Sequence, residues 1–181
     1  MWGLDMEDTQ YTLTGVDLDK DALEIRMKQQ RDIDIGILGD LRYVNLEENK
    51  YDVIYNSYVL EHINGAEGVL KNFMKWLKPR GILVLRIPNR DSARGFLTRI
   101  TPFWFHIFYT KYIQGYKDAG NPGQAPFPTF YDKVVSRKGI YDFCKAYGLY
   151  IKAEYVGGRG RKNRWISRIV DKIMGWILHL V

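Results

Sequence analysis

The chain has 181 residues, of which 46% are hydrophobic, so it is long enough to bury a substantial core as one domain. Its net charge of +6 hides an acidic first part and a basic remainder: residues 1–70 hold 15 acids and 6 bases, and the rest holds 6 acids and 21 bases. A single cysteine, Cys144, excludes an internal disulfide, and the lack of a signal-like start or of roughly 20 consecutive apolar residues predicts a cytoplasmic protein without a membrane span.

Strand-like and helix-like segments alternate through the first half of the sequence. Asp19 is a plausible N-cap for a helix that runs through Met27, and a second helix is predicted at 66–78, where the PRG tripeptide ends it. Four strands are predicted: at 12–17, at 32–41, from Tyr51 to a helix that begins near Val59, and at 82–88. This alternation predicts a parallel sheet with helices on both faces.

The second half is more irregular. Residues 101–132 begin as an aromatic helix and then become rich in Gly and Pro. Residues 136–148 carry a capping serine, an apolar stripe and a final Gly, which predicts a helix, and residues 149–156 alternate like a strand. After a basic linker, residues 165–180 predict an amphipathic helix with Arg and Lys on one side. Its apolar face favours packing or dimerisation, with peripheral membrane contact as the alternative.

Acidic side chains follow the first two predicted strands, at the edge where open α/β sheets bind ligands. Asp17 ends the first strand, and a carboxylate there can accept hydrogen bonds from both hydroxyls of a ribose. Asp40 ends the second strand, where it can accept from an adenine amino group while the Leu41 amide donates to a ring nitrogen. Each acid can instead cap the segment that follows it. Their order and spacing together favour the nucleotide interpretation.

The strings TGVDLD, GDLRYVNLEENKYDVIYNSYVLEHI and LKPRGILVLRIPN resemble the class I S-adenosylmethionine-dependent methyltransferases, in particular the type 11 group, over roughly residues 12–156. VLEHI after the strand YDVIYNS is the most specific part. The resemblance implies a Rossmann-like open, mostly parallel sheet within a single domain over 1–181. Its parts would be a cofactor core at 11–88, a substrate lid at 89–135, a helix and strand of the core at 136–156, and a basic linker with an amphipathic helix at 157–181.

The resemblance also implies S-adenosylmethionine as the cofactor and S-adenosylhomocysteine as the product. In this sequence the ribose would be held at Asp17 and the adenine at Asp40, whereas Asn56 and Ser57 would lie beside the methionine moiety and the methyl acceptor. The full set of implied cofactor-binding residues is Asp17, Leu18, Asp40, Leu41, Asn56 and Ser57.

Methyl transfer mainly requires the two reactants to be positioned, and a base is needed only where the acceptor must lose a proton. Glu61 and His62 match the family's EH pair near the acceptor, and His62 is the candidate base, with packing beside Glu61 as the alternative. Contacts with the substrate are predicted for Tyr58, His106 and Tyr109. The aromatic run at 103–112 can wall an acceptor pocket or pack as an ordinary helix, and His106 can be a packed residue of that helix.

Both ends depart from the family pattern. The first strand and the glycine-rich loop would precede Tyr11, where only Gly3 is a candidate, and no last strand follows the final helix. We therefore expect a truncated methyltransferase domain that acts on a small-molecule or lipid-like acceptor, with activity impaired by the missing loop.

A non-catalytic relative is the alternative function, an interaction or oligomerisation module that works through its basic, amphipathic C-terminus. A homodimer is compatible with that helix. No nucleic-acid motif supports an interaction with nucleic acid, and no metal site is predicted, so the basic second half fits an anionic substrate, an anionic membrane or simply a solvated surface.

Overall fold

The computed structural model describes residues 10–89, 101–113, 115–121, 125–130 and 132–155. The chain divides into two compact units: Met1–Tyr55 with Gly65–Val84, and Asn56–Asn64 with Leu85–Val181. The predicted C-terminal amphipathic helix and the residues around Gly3 lie outside the described residues.

A strand–helix–strand element opens the first unit. β1 (Thr14–Asp17) and β2 (Ile35–Leu38) pair in parallel, and the register places the last residues of the two strands opposite each other. Between them lies α1 (Lys20–Ile25), which continues through a π-helical turn (Arg26–Gln30). The two strands and the helix confirm the order predicted for this part of the chain.

Asp19 caps α1, as its position before the helix predicted. Its Oδ1 accepts hydrogen bonds from the backbone amides of Asp21 (2.9 Å) and Ala22 (3.1 Å). These two amides would otherwise have no acceptor within the helix. The cap therefore fixes the point at which the chain turns from β1 into α1.

α2 (Ala66–Trp76) supplies most of the buried apolar side chains in the described part of the first unit. They recur every three or four residues, so that one side of the helix faces the core. The buried residues of this helix are Ala66, Val69, Leu70, Phe73 and Trp76. The helix ends two residues before the predicted end at Lys78.

The second sheet consists of β3 (Tyr51–Ser57) and β4 (Leu77–Arg86). The Lys50 amide donates to the Trp76 carbonyl (2.9 Å) just before the two strands begin, and the Tyr58 amide donates to the Arg86 carbonyl (2.8 Å) where they end. Because the two starts are joined and the two ends are joined, the strands run parallel.

The prediction that the PRG tripeptide ends α2 was wrong. β4 begins at Leu77, directly after α2, so the tripeptide lies inside the strand. Arg80 has a left-handed φ of 70°, and a Cβ on Gly81 would lie 2.7 Å from the Leu77 side chain. The tripeptide therefore marks a tight irregularity in a strand, where the approach of Leu77 requires glycine.

In the second unit, a 3₁₀ turn (Leu60–His62) follows β3, where a helix was predicted near Val59. The aromatic helix is confirmed as α3 (Phe103–Phe108), which continues in a π-helical turn (Tyr109–Ile113).

α4 (Arg137–Ala146) is confirmed as well: the Ser136 hydroxyl accepts from the Gly139 amide (3.0 Å), and Gly148 follows with φ 67°. Among the described residues of the second unit, the buried apolar ones are Leu60, Ala119, Val134, Val135 and Phe143.

The strand predicted at 149–156 was wrong over its described part. Residues 149–155 belong to no strand, and Tyr150 and Tyr155 are 88% and 90% exposed. An alternating pattern supplies only the period, whereas a strand also needs a neighbour for its backbone. Here the segment is held through side chains instead, because Arg137 Nε and Nη2 donate to the two oxygens of Glu154 (2.8 and 2.9 Å).

Parallel strand pairs connected by helices confirm the predicted α/β class. Within the described residues, none of the helices has the length and apolar character needed to cross a membrane.

Replacing Asp19 by Ala should lower the free energy of unfolding by about 1 kcal/mol, because two amides of α1 lose their acceptor. Asp19→Asn keeps a side-chain oxygen at the cap and should lose much less. Urea denaturation followed by circular dichroism measures both variants. Equal losses would show that the cap does not stabilise α1.

Candidate cofactor and acceptor site

The ends of β1 and β2 meet at one edge of the first sheet. Asp17 lies opposite Leu38, and the Gly39 amide donates to the Asp17 carbonyl (2.9 Å) beyond the last ladder pair. Asp40 is the next residue of the chain. The sequence predicts that these two acids contact the nucleoside of a cofactor. Both follow neighbouring parallel strands, at the edge where such sheets bind ligands.

The Asp17 carboxylate is exposed and only partly engaged. Its Oδ1 accepts from the Asp19 amide (3.0 Å), and within the described residues its Oδ2 accepts no hydrogen bond. α1 is capped by Asp19. The alternative that Asp17 serves as a helix cap therefore gives no role to its Oδ2. The neighbouring Leu18 is exposed. Asp17 thus has the acceptor capacity that a ribose diol requires.

Asp40 forms an ion pair that the sequence analysis missed. Arg42 Nη2 lies 2.6 Å from Oδ2 and Arg42 Nε lies 3.0 Å from Oδ1, and the Arg42 amide also donates to Oδ1 (2.9 Å). The hydrogen bond from the Arg42 side chain is the main reason that the pKa of Asp40 lies below its ordinary value. Each carboxylate oxygen has two lone pairs, so the ionised Asp40 can still accept from a ligand.

Asn72 of α2 fixes the loop that carries Asp40. Its Nδ2 donates to the Leu41 carbonyl (2.9 Å) and to the Arg42 carbonyl (3.3 Å). The Leu41 amide, in contrast, donates to no acceptor among the described residues. A fixed loop with an available N–H beside Asp40 fits the donor–acceptor edge of an adenine. The only sequence signal for Asn72 was a polar residue between apolar positions of the helix.

Two buried acceptor atoms lie in the segment that joins the end of β3 to the 3₁₀ turn of the second unit. Asn56, the next-to-last residue of β3, is 5% exposed, and Glu61, in the 3₁₀ turn, is 6% exposed. Asn56 Oδ1 and Glu61 Oε2 have no hydrogen-bond partner in the described part of the chain. A buried polar atom left unpaired costs roughly 1–3 kcal/mol, so two in one short segment indicate a place for a ligand with hydrogen-bond donors.

Burial also changes the protonation of Glu61. Removal from water disfavours the charged carboxylate and raises the pKa of Glu61 above its ordinary value. Its own backbone amide and the adjacent His62 act in the opposite direction and do not reverse the shift. Glu61 therefore holds its proton to a higher pH than an exposed glutamate.

His62 is held by residues of the predicted lid segment. Its Nδ1 lies 2.8 Å from the Pro128 carbonyl oxygen, and the Phe130 amide donates to the Glu61 carbonyl (2.8 Å). The Phe127 ring packs edge-on to the imidazole at a centroid distance of 5.9 Å. Since a carbonyl can only accept, Nδ1 carries the hydrogen, and Nε2 of the neutral ring holds the free lone pair.

Tyr58 occupies a strained corner directly after β3. Its φ is 56°, its amide donates to the Arg86 carbonyl (2.8 Å), and the Arg86 guanidinium lies 4.8 Å from its ring centroid. A left-handed conformation is uncommon for a bulky residue and persists when the surroundings hold it in place. The preceding Ser57 is half-buried. Strain of this kind is concentrated at binding sites, which supports the candidate role of Tyr58.

His106 and Tyr109 lie in the aromatic helix region. His106 Nε2 contacts the hydroxyl (3.0 Å) and the carbonyl (3.2 Å) of Thr101, and Tyr109 begins the π-helical turn. None of the contacts within the described residues joins either side chain to His62. Their role as substrate contacts stays a prediction.

Parallel strands with acids at adjacent tips are the features of an α/β enzyme that binds a nucleotide-like cofactor. The sequence matches a protein family described as a methyltransferase domain over residues 2–154. Because this match covers most of the chain, the protein belongs to that family, which confirms the resemblance to the class I methyltransferases. Membership implies, in general terms, the use of S-adenosylmethionine. No curated protein matches the chain.

Several solved structures are similar to part of the chain. The cyclase SpnF is 17% identical with a TM-score of 0.42, over 48% of this chain and 34% of its own. The PH0226 protein from Pyrococcus horikoshii is 23% identical with a TM-score of 0.40, over 50% of this chain and 41% of its own. The YcgJ protein from a Bacillus species is 20% identical with a TM-score of 0.38, over 48% and 41%. The match thus spans well under half the length of these relatives.

The contact with Pro128 predicts the tautomer of His62. At a pH where the ring is neutral, long-range ¹H–¹⁵N correlation spectra should show a protonated Nδ1 and an unprotonated Nε2. The spectrum of His62→Asn, in which this signal is missing, assigns it among the three histidines. A proton on Nε2 would contradict the contact.

The raised pKa of Glu61 predicts a pH-dependent stability. A group whose pKa is higher in the folded state stabilises the fold fully below its unfolded pKa, and this contribution is lost as the pH rises through the folded value. Glu61→Gln, which has no charge to bury, should therefore gain free energy of unfolding relative to the wild type between about pH 4 and neutral pH. Denaturation of both proteins across that range measures the gain. The exposed Glu67→Gln is the control, and an equal gain there would contradict the prediction.

Proposed function

We propose that this protein catalyses S-adenosylmethionine-dependent methyl transfer to a small-molecule or lipid-like acceptor that carries an N–H or O–H group. The observation that carries the proposal is the junction of β1 and β2, where the bond from the Gly39 amide to the Asp17 carbonyl puts Asp17 and Asp40 at one edge of a parallel pair. Open α/β sheets bind ligands at this edge, and the membership in a methyltransferase family supports the nucleoside of the cofactor as the ligand.

The nucleoside roles follow from the free donors and acceptors of that edge. Asp17 accepts hydrogen bonds from the ribose hydroxyls, and Asp40 accepts from the adenine amino group while the Leu41 amide donates to the ring. Leu18 covers the nucleoside from the same turn. Among the described residues, Asp17 Oδ2 accepts no hydrogen bond and the Leu41 amide donates none, which supports these roles. When bound, the cofactor supplies a methyl group on a positively charged sulfur.

The buried acceptors of the second unit suggest what kind of group binds beside them. Asn56 Oδ1 can only accept a hydrogen bond, and so can Glu61 Oε2 when the carboxyl group is ionised. Both atoms therefore require a hydrogen-bond donor. An amine or hydroxyl of the methyl acceptor meets that need with its N–H or O–H, with Ser57 alongside.

His62 is the proposed base for such an acceptor. His62 Nε2 would take the proton of the acceptor N–H or O–H as that oxygen or nitrogen accepts the methyl group that a bound cofactor would supply. The Pro128 carbonyl holds the ring through Nδ1, so that the lone pair stays on Nε2 and the positive charge that forms is partly stabilised. Tyr58 contributes an exposed ring to the acceptor side.

Binding of S-adenosylhomocysteine tests the nucleoside site without knowledge of the acceptor. Isothermal titration of the wild-type chain should show binding, and Asp17→Ala should weaken it by about tenfold or more, since hydrogen bonds to a charged group contribute roughly 1.5–3 kcal/mol.

Asp52→Ala is the matched control, because Asp52 is an exposed acid near the start of β3 and pairs with Lys78 (2.8 Å). Its titration should be indistinguishable from that of the wild type. A folded wild-type chain that does not bind the product, or equal losses in both variants, would refute the proposed site.

A further inference from the structure

The aromatic helix presents an exposed stripe of large rings. Trp104, Phe108 and Tyr112, which we call the outer stripe, are 66%, 47% and 69% exposed and follow each other at intervals of four residues. The ring centroids of Phe108 and Tyr112 are 5.0 Å apart, and Phe105 packs against Phe108 at 6.5 Å. The stripe is therefore one continuous aromatic surface along α3 and the π-helical turn.

Other residues of the helix provide its packed side. Ile107 is half-buried, and a Cβ on Gly120 would lie 2.9 Å from its Cγ2. The adjacent Ala119 is buried in the same turn. His106 bends back onto Thr101 through contacts of 3.0 and 3.2 Å. Among the described residues, Ile107 thus anchors the helix against the turn at Ala119 and Gly120, whereas the three rings of the outer stripe are exposed.

The sequence next to the stripe is rich in basic residues. The sequence contains no acid between Asp91 and Asp118, whereas Arg94, Arg99, Lys111 and Lys117 lie within that interval. Lys111 and Lys117 are exposed in the structure. Trp, Tyr and Phe are the side chains preferred at the boundary of a bilayer, and cations beside them are attracted to anionic headgroups. Lysine, in contrast, is depleted in interfaces between proteins.

We propose that the outer stripe docks on an anionic lipid surface, with its rings inserted at the headgroup boundary and Lys111 and Lys117 at the phosphates. The helical segment from Phe103 to Ile113 is about 16 Å long and would lie in the plane of the membrane. The inference goes beyond the proposed function and is independent of cofactor binding.

Vesicle flotation of the full chain tests the proposal. The wild-type protein should float with mixed phosphatidylcholine–phosphatidylglycerol vesicles, more weakly with phosphatidylcholine alone, and less as the salt concentration rises. The triple variant Trp104→Ser, Phe108→Ser, Tyr112→Ser should lose about tenfold or more in vesicle affinity, because three interfacial rings are removed. Lys111→Glu should weaken binding to the anionic vesicles and leave binding to the neutral ones unchanged.

The double variant Tyr150→Ser, Tyr155→Ser is the matched control, since it also removes exposed rings of this unit and should bind like the wild type. Circular dichroism checks that every variant is folded.

Three outcomes would overturn the proposal: no flotation of the wild type, unchanged flotation of the triple variant, or equal binding to neutral and anionic vesicles. A self-association that the triple variant abolishes, without any vesicle binding, would assign the stripe to a second copy of the chain instead. Titration of S-adenosylhomocysteine with the same triple variant should be unchanged, so that failure here is distinguishable from failure of the proposed nucleoside site.

Discussion

The parallel pairing of β1 with β2 is the constraint on which the proposed nucleoside site depends. Its register sets Asp17 opposite Leu38, and the amide of Gly39 extends the ladder by one bond to the Asp17 carbonyl. A slip of one residue would turn every side chain of one strand to the opposite face. The π-helical turn that continues α1 also approaches β2 closely, since a Cβ on Gly36 would lie 2.9 Å from the end of Met27. Glycine at this position lets the helix settle on the strands that present the acids.

In the second unit, the short segment from Asn56 to His62 combines local strain with missing hydrogen bonds. Tyr58 has a left-handed backbone, and two buried acceptor atoms have no partner among the described residues. Such features cost stability, and they persist because backbone contacts hold the segment: the Phe130 amide donates to the Glu61 carbonyl and the Tyr58 amide to the Arg86 carbonyl. The segment is therefore less stable than one with all hydrogen bonds formed, and a ligand with hydrogen-bond donors would restore part of that stability. Strained and unsatisfied groups of this kind are common at functional sites.

The elements that the sequence predicted correctly are those specified by neighbours along the chain. The caps of α1 and α4 need an acid or hydroxyl and the next three residues, and the buried side of α2 needs only its helical period. The two errors concern contacts that such patterns do not contain. Residues 149–155 alternate but find no strand among the described residues, and Pro79–Gly81 look like a helix stop but continue directly into a strand. In both cases, whether the residues form a strand depends on which backbone segment lies beside them.

The sequence by itself determined the α/β class, the acids at the ends of β1 and β2, the EH pair and the methyltransferase family, because each is written in a short string. Only the tertiary structure decided how those residues are held. Asn72 reaches Leu41 across 31 residues, and Pro128 fixes the ring of His62 across 66. It also decided that Asn56 and Glu61 are buried without partners and that the outer stripe is exposed. Burial and long-range hydrogen bonds depend on which distant segments meet, and no local spacing of residues specifies that.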